Sequence, residues 1–148
     1  MFGRILVPLD GSEYGERALP YATDFARLAA TQVFLLSVVP TATAPMLEPS
    51  SESDEDRARP WKKYLDGHAE ALRAAGIEDV VAEVRFGPPA RVIIEAARDE
   101  EVDLIIMSTH GLGASGRYAL GSIALKVLMT APCPVFMVRI AEMTRPQQ

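Results

Sequence analysis

The fold is indicated by how the chain begins, with an apolar run that a turn closes at once: Ile5-Leu6-Val7-Pro8-Leu9-Asp10-Gly11-Ser12. The run is continuously apolar rather than alternating, which is typical of a strand buried on both faces of a parallel sheet. Further runs of this kind follow along the chain at residues 32–39, 80–86, 103–108 and 134–140. We therefore predict five strands in one sheet.

Helical patterns separate these strands. The clearest is a stripe with spacings of three and four, followed by Gly76 as a C-cap; it consists of Trp61, Tyr64, Leu65, His68, Ala69, Leu72 and Ala75. Shorter helices are predicted after Pro88-Pro89 and before Pro132. The first helix, residues 13–30, contains Pro20, which predicts a kink or a late helical start. This alternation predicts an α/β fold over residues 1–148, with right-handed crossovers that place helices on both faces of an open, five-stranded parallel sheet.

Size and charge restrict the class of partner. The chain has 148 residues, which suits one domain with its own core, and 49% of them are apolar. A net charge of −5 argues against duplex nucleic acid or an anionic membrane as the main partner. The single cysteine, Cys133, allows no internal disulfide and is predicted to be a buried structural thiol. With no signal peptide and no apolar stretch of about 20 residues, we expect a cytoplasmic protein.

One long connection stands apart from this alternation. Residues 41–59 are acidic and poor in apolar side chains. We predict a solvated, mobile loop there, with a lid over a ligand site as the alternative.

Unusual residues follow two of the predicted strands, at the edge of a parallel sheet where ligands bind. Asp10 either accepts hydrogen bonds from a ribose or adenine, or caps the first helix with Glu13 as its capping-box partner. The stretch after the fourth strand has four glycines in eleven residues and ends on Gly121-Ser122, directly before an apolar helix. The backbone N–H groups of Ser122, Ile123 and Ala124 would form a phosphate seat at that helix N-terminus, with Ser122 as a cap, a donor or both. A loop that merely turns the chain is the alternative.

The same stretch contains a G-x-G-x-x-G match over residues 111–116. That dinucleotide fingerprint belongs after the first strand and needs an acidic residue about 20 positions on, at the end of the next strand. Neither condition is met, and the chain has no G-x-x-x-x-G-K-[ST] motif. An NAD site and a P-loop are therefore not predicted.

Taken together, these motifs resemble the ATP-binding branch of the universal stress protein family. That branch carries G-x-x-G, nine residues, and then G-[ST] between the fourth strand and the next helix. Here Gly111 and Gly121-Ser122 match the second and third elements, while Ser108 stands at the first glycine. Gly87-Pro88-Pro89 and the segment Ala131-Pro132-Cys133-Pro134-Val135 extend the resemblance over essentially the whole chain.

The resemblance implies a strand order of 3-2-1-4-5 and a site for ATP with Mg²⁺ or Mn²⁺, other adenine nucleotides being possible. The implied contacts to the adenosine come from Pro8, Leu9, Asp10 and Val38; those to the ribose and α-phosphate from Met107, Ser108 and Gly111; and those to the β- and γ-phosphates from Gly121, Ser122, Ile123 and Ala124. It also implies a homodimer through the last strand, residues 135–140, with Val135 and Ile140 at its two ends. Ser108 would weaken binding if the glycine provides a positive φ or clearance, but would cost little if the position is extended.

Few residues offer catalysis at this edge of the sheet. His110 has no second histidine or carboxylate at ligand spacing, His68 lies on the apolar helical stripe, and the serines lack an evident His–Asp pair. We therefore predict an adenine-nucleotide-binding stress-response or signalling protein whose bound state, rather than turnover, is the output. The alternatives are a partner-binding module with an empty or repurposed pocket, and a weak ATPase or phosphotransferase.

Overall fold

The computed structural model describes residues 2–41, 53–111 and 120–140, and its centre is a five-stranded sheet. The strands are β1 (Arg4–Pro8), β2 (Gln32–Val39), β3 (Val80–Phe86), β4 (Leu104–Ser108) and β5 (Val135–Val138). They lie in the order β3-β2-β1-β4-β5, and every neighbouring pair is parallel. The predicted fold class and strand order are confirmed.

Within the described ranges, five helices connect the strands: α1 (Glu13–Glu16), α2 (Leu19–Leu28), α3 (Asp54–Ala74), α4 (Pro89–Asp99) and α5 (Ser122–Thr130). On one face of the sheet, Ile5 and Leu35 pack with Leu65 of α3 in a core that also includes residues of α2. On the other face, Leu6 and Ile105 pack with residues of α4 and α5. All five residues of β4 are buried, as expected for a strand covered on both faces.

The predicted first helix is divided into α1 and α2. Pro20 lies in the first turn of α2, where its missing N–H has no helical partner to lose. The predicted late start is therefore what the structure contains.

The predicted loop over residues 41–59 is wrong for its last six residues, because α3 begins at Asp54. Ser53 caps this helix by accepting the N–H of Asp56, and Asp54, Glu55 and Asp56 occupy the first turn. Carboxylates there are stabilised by the positive end of the helix dipole, so the acidic run favours a helix start. Residues 42–52, including the rest of the predicted loop and its alternative role as a lid, lie outside the described residues. At the other end, Gly76 has φ +96 and follows the C-cap, as predicted.

Three strands differ from their predicted bounds, and the first is β1, which spans Arg4–Pro8 rather than the predicted residues 5–9. β4 begins at Leu104 rather than at residue 103. Asp103 still donates its N–H to the Arg4 carbonyl at 2.9 Å, and its carboxylate accepts the N–H groups of Gly3 and Arg4, at 2.8 and 3.0 Å. β5 is shorter than predicted, from Val135 to Val138. Just before it, Cys133 is half-buried rather than fully buried, and burial raises the pKa of its thiol. No helix in the described part of the chain has both the length and the apolar character needed to cross a bilayer.

Candidate functional site

A cavity of about 360 Å³ opens at the carboxyl ends of β1 and β4. These two strands are neighbours, but the chain continues from β1 towards β2 on one side and from β4 towards β5 on the other. The connections therefore leave in opposite directions, which opens a crevice at the strand ends. The volume lies within the usual range for small-molecule pockets.

All of the predicted site residues line this cavity, namely Pro8, Leu9, Asp10, Val38, Met107, Ser108, Gly111, Gly121, Ser122, Ile123 and Ala124. They come from four separate parts of the chain, which the parallel topology brings to one edge. Their proximity is a fact of the fold, whereas their role as ligand contacts remains a prediction.

The lining also contains residues that sequence reasoning missed, and Trp61 and Pro40 are the most informative. The sequence pattern indicates Trp61 only as part of a helical stripe. Because α3 begins at Asp54, Trp61 lies in its N-terminal half, at the edge where the strands end. Recognising the acidic helix start would have revealed this position. Pro40 directly follows β2, so its place at this edge follows from the strand assignment alone.

Asp10 is held between the two strand ends. Its Oδ1 accepts the backbone N–H of Ser12 at 3.0 Å and also the Ser12 hydroxyl. A Cβ added at Gly111 would collide with the Asp10 carboxylate, so the close approach of these two segments requires glycine there. The predicted alternative of Asp10 as the helix cap is wrong, because Ser12 caps α1 by accepting the N–H of Gly15 at 3.2 Å.

Ser108, the departure from the family motif, is the last residue of β4. Among the described non-glycine residues, a positive φ occurs only at Glu101. The Ser108 hydroxyl donates to the backbone carbonyl of His110. The position is therefore extended, and serine needs no unusual backbone conformation to occupy it.

The N-terminus of α5 forms one end of the cavity. Gly121 is the N-cap and donates its N–H to the Thr109 carbonyl at 2.8 Å. The prediction of Ser122 as a cap is wrong, since Ser122 is the first helical residue. The N–H groups of Ser122, Ile123 and Ala124 are the donors that a helix leaves without an internal acceptor, and all three residues line the cavity.

His110 lies in the lining beside the strand end. The His110 Nδ1 is 2.8 Å from the Thr109 hydroxyl oxygen, and the centroids of the His110 and Tyr14 rings are 6.4 Å apart. The Thr109 hydroxyl also accepts the N–H of Ile140 at 3.2 Å. These contacts agree with the predicted loop-stabilising role of His110.

A second polar cluster lies behind the cavity, between α1 and α3. The hydroxyl of Tyr64 donates to Glu16 at 3.1 Å, and the His68 Nε2 is 3.4 Å from the same carboxylate. Burial, together with the nearby charge of Glu16, raises the pKa of Tyr64, while a hydrogen bond from the Gly11 backbone acts in the opposite direction. His68 is thus a half-buried contact between helices, and Tyr64 ties the turn after β1 to α3.

The charges at the site are few. Among the described residues, the lining includes no lysine or arginine, and Asp10 is its only carboxylate. Nor do the described parts of the chain bring three or more His, Cys, Asp or Glu side chains together as metal ligands. The available polar groups are therefore one carboxylate, a few hydroxyls, a histidine and backbone N–H groups.

A doubly wound parallel sheet with such a cavity at its strand reversal defines a small α/β domain with a candidate ligand site. The sequence model of the universal stress protein family matches residues 1–139. The chain belongs to the universal stress protein family, which serves stress responses.

Individual relatives agree with this assignment. A universal stress protein of Thermus aquaticus is 36% identical over 139 residues, covering 94% of this chain and 100% of the relative. The solved structure of universal stress protein UspA from Lactobacillus plantarum is similar with a TM-score of 0.83 at 27% identity, over 93% of this chain and 98% of that one.

Two more distant solved structures have adenine nucleotides in their descriptions. One is a universal stress protein in complex with cAMP, with a TM-score of 0.72, and the other is from Archaeoglobus fulgidus in complex with dAMP, with a TM-score of 0.67. Each is 20% identical and covers 93% of this chain and 97% of its own. At that identity the likeness shows the fold alone.

Proposed function

We propose that this protein binds an adenine nucleotide in the cavity between the ends of β1 and β4, with ATP and a divalent Mg²⁺ or Mn²⁺ ion as the preferred ligand. The bound state, rather than turnover, is the output that other components of a stress response read. The observation that carries this proposal is the convergence of every predicted contact residue on one cavity of about 360 Å³.

The N-terminus of α5 supports the proposal that the phosphates of the nucleotide bind at that end of the cavity. Its free backbone N–H groups and the positive end of the helix dipole favour an anion without any cationic side chain. The helix has no acidic residue in its first turn to compete for those donors. This accounts for phosphate binding by a lining that contains no lysine or arginine among the described residues.

The turn after β1 and the end of β2 support the proposal that the base and the ribose bind at the opposite end of the cavity. Pro8, Leu9 and Val38 offer apolar surface, and Asp10 adds a carboxylate oriented by Ser12. Apolar walls with a few fixed polar groups are typical of small-molecule sites. A carboxylate accepts hydrogen bonds from ribose hydroxyls or an exocyclic amine. The family members in complex with cAMP and dAMP share the adenine that this end would hold.

The same residues bear on two further points, namely how a metal ion would enter the site and whether catalysis is expected. Mg²⁺ commonly enters a site with the substrate phosphates and only one or two protein carboxylates, so a dedicated cluster is not needed. Catalysis would require a positioned acid or base, and the described lining offers only Asp10 and His110, both engaged in structural contacts. The cytoplasm, where adenine nucleotides are abundant, is the proposed setting.

The direct test is isothermal titration calorimetry of the purified protein with MgATP, ADP and cAMP. We expect saturable binding of at least one of these nucleotides at one site per chain. Absence of binding by all three would contradict the proposal and favour a partner-binding module that does not use the cavity.

Asp10→Asn tests the base and ribose end. Asparagine keeps an oxygen for the Ser12 N–H but removes the negative charge, and hydrogen bonds to charged groups contribute more than neutral ones. We expect ATP affinity to fall roughly 10-fold, measured by calorimetry. Asp66→Asn, which removes an exposed carboxylate that pairs with Lys62 on α3, is the matched control and should bind as the wild type does. Equal affinity in both variants would place Asp10 outside the ligand contacts.

We also propose that the protein forms a homodimer through β5. This strand lies at the edge of the sheet, and the carbonyls of Pro134 and Val138 accept the N–H groups of Ile105 in β4 and of Thr109 just after it, at 3.0 Å each. Because successive backbone groups in a strand point to alternate sides, those of Val135 and Met137 face away from β4. An edge strand of this kind is a template for pairing with a second chain. Helix α5, on one face of the same sheet, exposes the apolar residues Leu125, Leu128 and Met129.

Met137→Pro tests this interface. Proline removes an N–H that faces the sheet edge, which an edge strand tolerates but a strand pairing across a dimer does not. Sedimentation velocity should show a dimer for the wild type and for Met137→Leu, and a folded monomer for Met137→Pro. A wild-type monomer, or a proline variant that remains dimeric, would show that β5 is not the interface.

A further inference from the structure

Trp61 has a large aromatic side chain that is not fully buried in the core. It is the only tryptophan in the chain, it is only half-buried, and it lines the cavity. Two atoms of its six-membered ring lie 3.5 and 3.6 Å from where a Cβ on Gly11 would stand. The ring is therefore beside the turn that follows β1 and presents surface to the cavity.

The ring is held in place from behind. It crosses the Tyr64 ring at 89°, with centroids 6.2 Å apart, and such edge-to-face pairs are favourable. Tyr64 is itself fixed by its hydrogen bond to Glu16 in α1. The Trp61 side chain is therefore held in a fixed orientation at the edge of the cavity. A fixed aromatic ring can select a ligand by its shape.

The cavity has two chemically different ends. The N-terminus of α5, with Gly121 and Ser122, supplies backbone donors at one end. At the other end, Val38 lies near the end of β2, Pro40 follows that strand and Leu9 follows β1, and all three are apolar. Trp61 lies beside Gly11 and belongs to this second end.

We propose that Trp61 is a specificity-determining residue that packs against the flat face of the nucleobase, so that the site selects ligands with an aromatic base over phosphate chains alone. This inference rests on the proposed nucleotide site, and it assigns the selectivity of that site for the base to Trp61 in α3. Stacking between a base and an aromatic side chain strengthens binding roughly 10-fold or more. Because no other tryptophan is present, the emission of Trp61 also reports occupancy of the base end directly.

The test titrates the full chain with ATP and with inorganic tripolyphosphate, following both tryptophan emission and calorimetric heat. We expect ATP to change the emission saturably, with the affinity that calorimetry gives, and tripolyphosphate to leave it unchanged. Trp61→Ala should lower ATP affinity roughly 10-fold and leave tripolyphosphate affinity unaltered, while Trp61→Phe retains most of the ATP affinity. Tyr21→Ala, which removes a half-exposed aromatic side chain from α2, is the control and should bind ATP as the wild type does.

The outcomes separate this inference from the function on which it rests. If calorimetry detects ATP but the emission does not change, or if Trp61→Ala binds ATP with wild-type affinity, the role of Trp61 is wrong and the nucleotide site stands. If Trp61→Ala loses ATP and tripolyphosphate affinity equally, its effect is on the whole site rather than on the base, which also overturns the inference. If neither ATP nor tripolyphosphate binds the wild type, both proposals fail.

Discussion

Replacing Gly121 with Val is expected to lower ATP affinity by at least about 100-fold, equivalent to roughly 2.7 kcal/mol, while the protein stays folded. A Cβ at this position already lies 3.1 Å from the Thr109 carbonyl oxygen, a tight contact, and the two methyl groups of valine add bulk at a residue that lines the cavity. The backbone angles of Gly121, φ −58 and ψ 149, are open to any residue, so the substitution requires no unusual backbone conformation at this position. Calorimetry with MgATP measures the effect.

Gly67→Val is the matched control for this substitution. Gly67 lies in α3 outside the cavity lining, and a Cβ there meets nothing within 4 Å. This variant should bind ATP with wild-type affinity and give the same circular dichroism spectrum. Wild-type affinity in Gly121→Val would mean that the phosphates do not approach the α5 N-terminus.

Replacing Leu35 with Ala is expected to lower the free energy of unfolding by about 3–4 kcal/mol. Leu35 lies in β2 with none of its surface exposed, in the core formed with α2 and α3. Truncation removes buried apolar surface and leaves a cavity that the neighbouring strands cannot close. Urea unfolding in the absence of nucleotide measures the change, because a bound ligand would add its own stabilisation.

The control is the same substitution at an exposed leucine. Leu28, at the end of α2, is 85% exposed, so Leu28→Ala should change the free energy of unfolding by less than about 0.5 kcal/mol. A similarly small effect for Leu35→Ala would contradict a sheet that is buried on both faces.

The sheet could be predicted because burial on both faces leaves a simple pattern. Continuous apolar runs such as Ile5 to Val7 and Leu104 to Met107 are short and contain β-branched residues, which favours buried strands over helices. Alternation with helices then required a parallel sheet. The order of the strands needed the family resemblance as well, because periodicity does not say which strands are neighbours.

Helix ends were predicted less well, because they depend on single side chains. Ser53 and the carboxylates after it begin α3, although the same composition is equally typical of a solvated loop. Which of Asp10 and Ser12 caps α1 depends on a two-residue difference in where helical backbone angles begin. Sequence patterns do not determine backbone angles to that precision.

Site residues next to the end of a strand or the start of a helix could be predicted from the sequence. Site residues that reach the cavity only through the packing of a helix on the sheet were missed. Asp10 and Gly121 directly follow or precede regular elements, so parallel topology alone brings them to one edge. Trp61 reaches the cavity because α3 begins at Asp54 and packs against the sheet with its N-terminal half at the strand ends. This placement depends on where the helix begins rather than on a motif around Trp61. Gly111 is an intermediate case, since its requirement for glycine comes from the Asp10 carboxylate of a distant segment.

The most direct test of nucleotide binding is to denature the freshly purified protein and identify any released small molecule by chromatography and mass spectrometry. We predict an adenine nucleotide, with ATP or ADP near one per chain, released from the wild type and absent from Gly121→Val. A wild-type protein that releases no nucleotide, and that afterwards gives no calorimetric response to MgATP, would contradict the assignment of the cavity as an adenine-nucleotide site.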